Sequence, residues 1–193
     1  MVTWKEIVDN NPQHSHNYAQ RWRMFAAQGR DIVGEARLVD ALAPRNARIL
    51  DAGCGTGRIG GWLAERGHTV VGTDIDPFLI EVARHDYPDA RWEVGDLGHD
   101  PIPEGNFDVV VSAGNVMGFI DPRDRRAVLA ALAGATAPQG RVVIGFGAGR
   151  GWDFADFLAT AQDVGLHVDA RFESWDLRPW GEESQFLVAL MSV

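Results

Sequence analysis

The sequence predicts a doubly wound α/β protein: a seven-stranded, mostly parallel sheet with helices on both faces and an antiparallel strand at the C-terminal end. Three observations carry this. Short apolar runs alternate with helix-like segments from Arg48 to Val164, the pattern of βαβ units. The first run, Arg48-Ile-Leu-Asp-Ala, turns into the glycine-rich segment Gly53-Cys-Gly-Thr-Gly57 and then into a helix-like stretch. The last two runs are joined by a short loop, Asp176–Glu183, too short for a crossover helix.

The elements follow in order. Thr3 to Asp9 is a helix candidate broken by Asn10-Asn-Pro12. Ser15 is placed to cap a second helix, Asn17–Gln28, stopped by Gly29. Asp31 opens a helix over Ile32–Ala43, whose apolar positions are Ile32, Val33, Ala36, Val39, Ala41 and Leu42; Pro44 ends it. Strands are expected at Arg48–Ala52, Thr69–Asp74, Arg91–Val94, Phe107–Ala113 and Arg141–Phe146. Between them lie helices at Ile59–Arg66, at Pro77–His85 with proline in the first turn, and at Pro122–Ala137. A helix over Phe154–Val164 stops at Gly165, and strands Val168–Trp175 and Ser184–Met191 complete the sheet. Residues 1–30 stand apart as a helical cap or lid. Residues 31–193 form the main domain.

The glycine segment marks a ligand site. A strand that turns through glycines lets a ligand approach bare backbone, and the helix that follows begins with unpaired N–H groups. The spacing is G-x-G-x-G, with Arg58 where the dinucleotide fingerprint has its third glycine. That departs from nicotinamide binding. Asp74 ends the second strand, 17 positions beyond Gly57, where such folds hold the hydroxyls of a ribose.

The runs LDAGCGTG, VVGTDID, VGDL, FDVVVSAGN and APQGRVVIGFG, in this order, resemble the class I S-adenosylmethionine-dependent methyltransferases. The resemblance extends from about Asp31 to the C-terminus. It implies a Rossmann-like sheet and S-adenosyl-L-methionine as cofactor, with S-adenosyl-L-homocysteine as product. It places Gly53, Cys54, Gly55 and Gly57 along the amino-acid tail, with Asp51 near its ammonium group. Asp74 would take the ribose hydroxyls and Ile75 would cover the adenine. Asp96 and the Leu97 backbone would meet its polar edge. Ala113, Gly114 and Asn115 would line the methionine tail and sulfur. Tyr18 or Arg23 of the cap would reach the methionine carboxylate. Asp76, just before Pro77, reads as a helix cap.

Methyl transfer needs positioning more than a dedicated acid or base, so the catalytic assignment stays open, with Asn115 and Trp175 as candidates. The loops Asn115–Phe119, Gly147–Trp152 and Trp175–Trp180 are the acceptor-side candidates, with Met117, Phe119, Trp152, Trp175 and Trp180 as walls. The fourth strand ends in Ser112-Ala-Gly-Asn-Val-Met and not in the Asn/Asp-Pro-Pro-aromatic motif of methyltransferases acting on planar amide or base nitrogens.

Bulk composition narrows the partners. The formal net charge is −9, with no cluster of Lys or Arg, which argues against nucleic acid. With 46% hydrophobic residues a sizeable core is available. No apolar run approaches the roughly 18 residues needed to cross a bilayer, and the first residues show no signal-peptide core. A cytoplasmic monomer or homodimer acting on a small, neutral or cationic organic acceptor is expected. Cys54 is the one cysteine, and His14-x-His16 the one histidine pair with metal-like spacing; no metal is expected. Two other readings stay open: a nicotinamide-dependent oxidoreductase, and a module that binds S-adenosylmethionine without catalysis.

Overall fold

The computed structural model describes residues 2–193. Two helices, α1 (Trp4–Asn10) and α2 (Gln13–Ala27), precede α3 (Gly34–Leu42). Then come β1 (Arg48–Ala52), α4 (Arg58–Ala64), β2 (Thr69–Asp74), α5 (Pro77–Asp86), β3 (Arg91–Val94) and β4 (Phe107–Ser112). A 3-10 turn at Val116–Phe119 leads to α6 (Arg125–Ala135), β5 (Thr136–Gly147), α7 (Phe154–Asp163), β6 (His167–Phe172) and β7 (Phe186–Ser192).

The strands form one sheet in the order β3-β2-β1-β4-β5-β7-β6. Pairing is parallel from β3 to β5, and β7 runs antiparallel to both β5 and β6. Strand order reverses between β1 and β4. The crevice at their carboxyl ends is where open α/β sheets take ligands.

Alternation along the central strands builds two cores. Leu50, Val110, Val142 and Ile144 face α6 and α7, where they meet Val128, Leu129, Leu132 and Phe157. Ile49, Val109, Val111 and Val143 face α3 and α4, against Ala36, Val39, Ile59 and Leu63. Both sheet faces are covered, so β4 reads as a continuous apolar run (Val109 to Val111) and not as an alternating one. Each fully buried Val or Leu contributes about 1.5–3 kcal/mol.

Several element ends differ from the sequence reading by a few residues, and three of these differences change what a side chain does. Helix α2 begins at Gln13, directly after Pro12, so Ser15 lies inside the helix instead of capping it. Its hydroxyl donates to Asp76 Oδ2, 61 positions away. Strand β5 begins at Thr136, which pairs with Phe107 across a register irregularity. The closing hairpin is shorter than expected: β6 ends at Phe172, which bridges back to Pro179, and Trp175 leaves the strand to pack over Gly145.

Candidate active site

The glycine loop is fixed from below. Gly53 N and Cys54 N both donate to Thr73 O, at 2.8 and 3.0 Å, which ties the loop to the end of β2. Gly53 has φ +78° and Gly55 φ +55°, a left-handed backbone that glycine adopts without steric cost. A Cβ on Gly53 would lie 2.4 Å from Val116 Cγ2, so this glycine also lets the β4 loop close in. A Cβ on Gly55 would stand 3.3 Å from the Tyr18 ring and hydroxyl, on the wall facing the crevice.

Asp74 lies at the centre. Its Oδ2 accepts from Gly55 N at 2.8 Å and its Oδ1 from Asp76 N at 2.9 Å. Burial is the dominant influence and pushes its carboxyl up to about 6, against the pull of those two N–H groups. A desolvated carboxylate with lone pairs left over is an acceptor set for paired hydroxyls.

Around it opens a cavity of about 470 Å³, within the range of small-molecule sites. Gly53, Gly55, Asp74, Ile75, Asp96, Leu97, Ala113, Gly114 and Asn115 all line it, and Tyr18 closes it from α2. Asn115, at φ +67°, also accepts from Gly147 N at 2.7 Å through its side-chain oxygen, bracing the β4 loop against the end of β5. Asp96 shapes its own turn: Oδ1 accepts from Gly98 N at 2.8 Å and Oδ2 meets His99 Nδ1 at 3.0 Å. That contact holds His99 above the usual imidazole range.

Other expected residues lie elsewhere. Arg23 pairs with Asp86 at 3.3 Å on the outer side of α2, so it is withdrawn as a carboxylate partner. In its place Arg21 lines the cavity, with its guanidinium 5.0 Å from the Tyr18 ring. Asp51 lies under the loop, where its Oδ2 accepts from Gly60 N at 2.9 Å. Burial raises its carboxyl to about 7. It does not line the cavity. Gly57 serves packing, since a Cβ there would sit 2.9 Å from Trp92. Cys54 is buried, and desolvation raises its thiol well above the ordinary value, the opposite of an activated nucleophile. Arg58 is also structural. It makes a bidentate pair with Glu35 at 2.9 and 2.8 Å and stacks 4.1 Å over Trp22, joining α2, α3 and α4.

Of the five expected acceptor walls only Phe119 lines the cavity. Met117 and Trp152 are core residues at 1% and 2% exposure. Trp175 packs on the α3 and α4 face over Gly145, and Trp180 lies under Arg171 at 4.6 Å. Trp175 is therefore withdrawn as a catalytic candidate. The outer wall comes instead from Trp4, His14, Tyr18 and Arg21 of the cap and from Arg150 after β5. His14, Tyr18 and Arg21 are spaced i, i+4, i+7 on α2, one helical face. Starting the helix at Asn17 hides that face, because His14 then falls outside it.

The family model for a methyltransferase domain matches residues 49–140. A solved structure, a TehB-like S-adenosylmethionine-dependent methyltransferase from Corynebacterium glutamicum, superposes with a TM-score of 0.92 at 60% identity, over 94% of this chain and 99% of that one. The chain belongs to the S-adenosylmethionine-dependent methyltransferases. Two curated relatives are more distant. The malonyl-[acyl-carrier protein] O-methyltransferase of Serratia marcescens is 34% identical over 61% of this chain and 45% of its own length. The 18S rRNA (guanine-N(7))-methyltransferase of Bos taurus is 30% identical over 51% of this chain and 35% of its own length. The chain thus spans less than half of either of these curated relatives. Family membership fits the geometry at the loop and at Asp74, and it sets aside the nicotinamide reading. No described helix is long and apolar enough to cross a membrane.

Proposed function

We propose that this methyltransferase moves the methyl group of S-adenosylmethionine to a small organic molecule, held between the glycine loop and the cap formed by α1 and α2. S-adenosylmethionine supplies an electrophilic methyl on a sulfonium. This chain's residues hold and orient it. The Gly53–Gly55 backbone would run along the amino-acid tail, with Tyr18 and Arg21 of the cap at its carboxylate. Asp74 would accept from both ribose hydroxyls, Ile75 and Leu97 would sandwich the adenine, and Asp96 would face its amino group. The acceptor would approach from the side of Trp4, His14, Phe119 and Arg150. Attack forms the new bond to the methyl carbon as the carbon–sulfur bond breaks. The thioether leaves neutral, so positioning supplies most of the rate.

The observation that carries the small-molecule reading is the cap. Trp4 and Tyr18 of α1 and α2 line the same cavity as the glycine loop, so an acceptor would reach the methyl alongside these two helices. A base within a folded RNA would have to enter past them, and a chain of net charge −9 repels phosphates at long range. Trp152, Trp175 and Trp180 do not line this cavity. Trp4, Tyr18 and Phe119 give flat apolar surface suited to a ring-bearing or apolar acceptor.

The test uses purified protein and S-adenosylmethionine labelled in the methyl group. One arm offers a small-molecule extract, the other total RNA. Label in the small-molecule fraction alone supports the reading. Label transferred to RNA at comparable rate overturns it. Cofactor binding without transfer in either arm favours a binding module.

A further inference from the structure

Asp76 does more than cap a helix. Its Oδ1 accepts from Phe78 N at 3.0 Å and Leu79 N at 3.4 Å, which satisfies the first turn of α5. Its Oδ2 has a separate set of partners, both from the cap: Trp4 Nε1 at 2.9 Å and the Ser15 hydroxyl at 2.5 Å. A helix cap needs one oxygen. The second reaches α1 and α2, 72 and 61 positions earlier in the chain. The backbone N–H of the same residue donates to Asp74 Oδ1 at 2.9 Å. Asp76 is 4% exposed and does not line the cavity.

Trp4 passes this anchoring on. Its ring meets His14, Tyr18 and Phe119 edge-on, with centroids 5.0, 5.4 and 5.5 Å away. All three are cavity walls, and Tyr18 is the side chain nearest the open face of Gly55. One buried carboxylate therefore ties the start of α5 to both helices of the cap, while the backbone N–H of the same residue holds Asp74.

We infer that Asp76 is a positioning residue for the cofactor: its Oδ2 latches the cap over the cavity through Trp4 and Ser15, so that affinity depends on a carboxylate that touches no ligand atom. The inference rests on the methyltransferase reading of the cavity. Its physical basis is linkage. A ligand that binds the closed cap sees an affinity reduced by the closed fraction, and two hydrogen bonds to a charged acceptor favour closure.

Asp76→Asn separates the two oxygens. The amide oxygen still caps α5, since Asn caps as well as Asp. The amide nitrogen, itself a donor, then faces the donor-only Nε1–H of Trp4, which loses its acceptor, while the Ser15 hydroxyl must turn round to accept. Calorimetry with S-adenosylhomocysteine at pH 8, where Asp74 is ionised, reads the affinity. Hydrogen exchange reads residues 4–27 and 77–86 separately. The dissociation constant should rise about tenfold or more. Exchange in the cap should speed up while α5 stays protected, and the ligand should protect the cap less than in the wild type. Unchanged affinity overturns the latch, as does an affinity loss accompanied by equal loosening of α5. Trp4→Phe with Ser15→Ala removes the donors and leaves Asp76 in place, so it must reproduce the loss. If Asp76→Asn fails to fold, unchanged affinity in this pair overturns the inference. Wild-type protein that does not bind S-adenosylhomocysteine overturns the reading of the cavity, and the latch with it.

Discussion

Asp74 is predicted to weaken the fold in order to serve the ligand. Its carboxyl is raised from 3.8 to about 6, mainly by burial. A rise of that size corresponds to about 3 kcal/mol of preference for the neutral acid. The folded protein holds this proton more tightly than the unfolded chain. The stabilising contribution is therefore fully present below pH 3.8 and lost as pH rises through about 6. Roughly 1.5 kcal/mol of it is lost between pH 5 and pH 8. Asp74→Asn removes the titration. It also leaves one of the two N–H groups, from Gly55 or Asp76, facing an amide nitrogen, an offset of about 1–3 kcal/mol that does not vary with pH. The slope is therefore the observable, not the absolute stability. Urea unfolding at a series of pH values, without ligand, should show the wild type losing about 1.5 kcal/mol more than the variant from pH 5 to pH 8. Asp51, raised to about 7, titrates in both proteins, so most of its contribution cancels. In the same variant S-adenosylhomocysteine should bind roughly 10–100-fold more weakly. Stability profiles that stay parallel within about 0.5 kcal/mol would refute the reasoning.

Two further substitutions separate ligand contacts from packing. Gly55→Val, at φ +55° and facing Tyr18, should abolish S-adenosylhomocysteine binding by calorimetry in a protein whose circular dichroism is unchanged; retained affinity would remove the loop from the contact surface. Trp175→Ala should cost about 2–4 kcal/mol in urea unfolding, from the space left over Gly145, and leave cofactor affinity alone; a changed affinity would return Trp175 to the site.

The glycine loop and the strand ends that line the cavity were largely legible in the sequence because they are local. The loop from Gly53 to Gly57 and the acids ending β2 and β3 sit at strand ends, and strand ends are set by short-range pattern. Glycine spacing did not distinguish Gly53 and Gly55, which face the cavity, from Gly57, which accommodates Trp92. That distinction needs a partner 35 positions away. The outer lining of the cavity was not legible for the same reason. The tryptophan-rich loop near Trp175 looks chemical in sequence, but the antiparallel return of β7 carries it to the α3 and α4 face. The helices that line the outer side of the cavity are joined to α5 by the bonds from Trp4 and Ser15 to Asp76. No window of sequence contains both ends of those bonds. Arg21 and Arg23 differ by two positions on one helix, and only the fold shows that Arg21 lines the cavity while Arg23 pairs with Asp86.

The central claim is that the glycine loop and Asp74 form the cofactor site. A crystal structure of the protein with S-adenosylhomocysteine tests it most directly. Both ribose hydroxyls are expected within about 2.5–3.0 Å of the Asp74 carboxylate. The amino-acid tail is expected along Gly53 and Gly55, with α1 and α2 closed over the ligand and Trp4 and Ser15 on Asp76. Ligand bound outside this crevice, or a ribose turned away from Asp74, would contradict it.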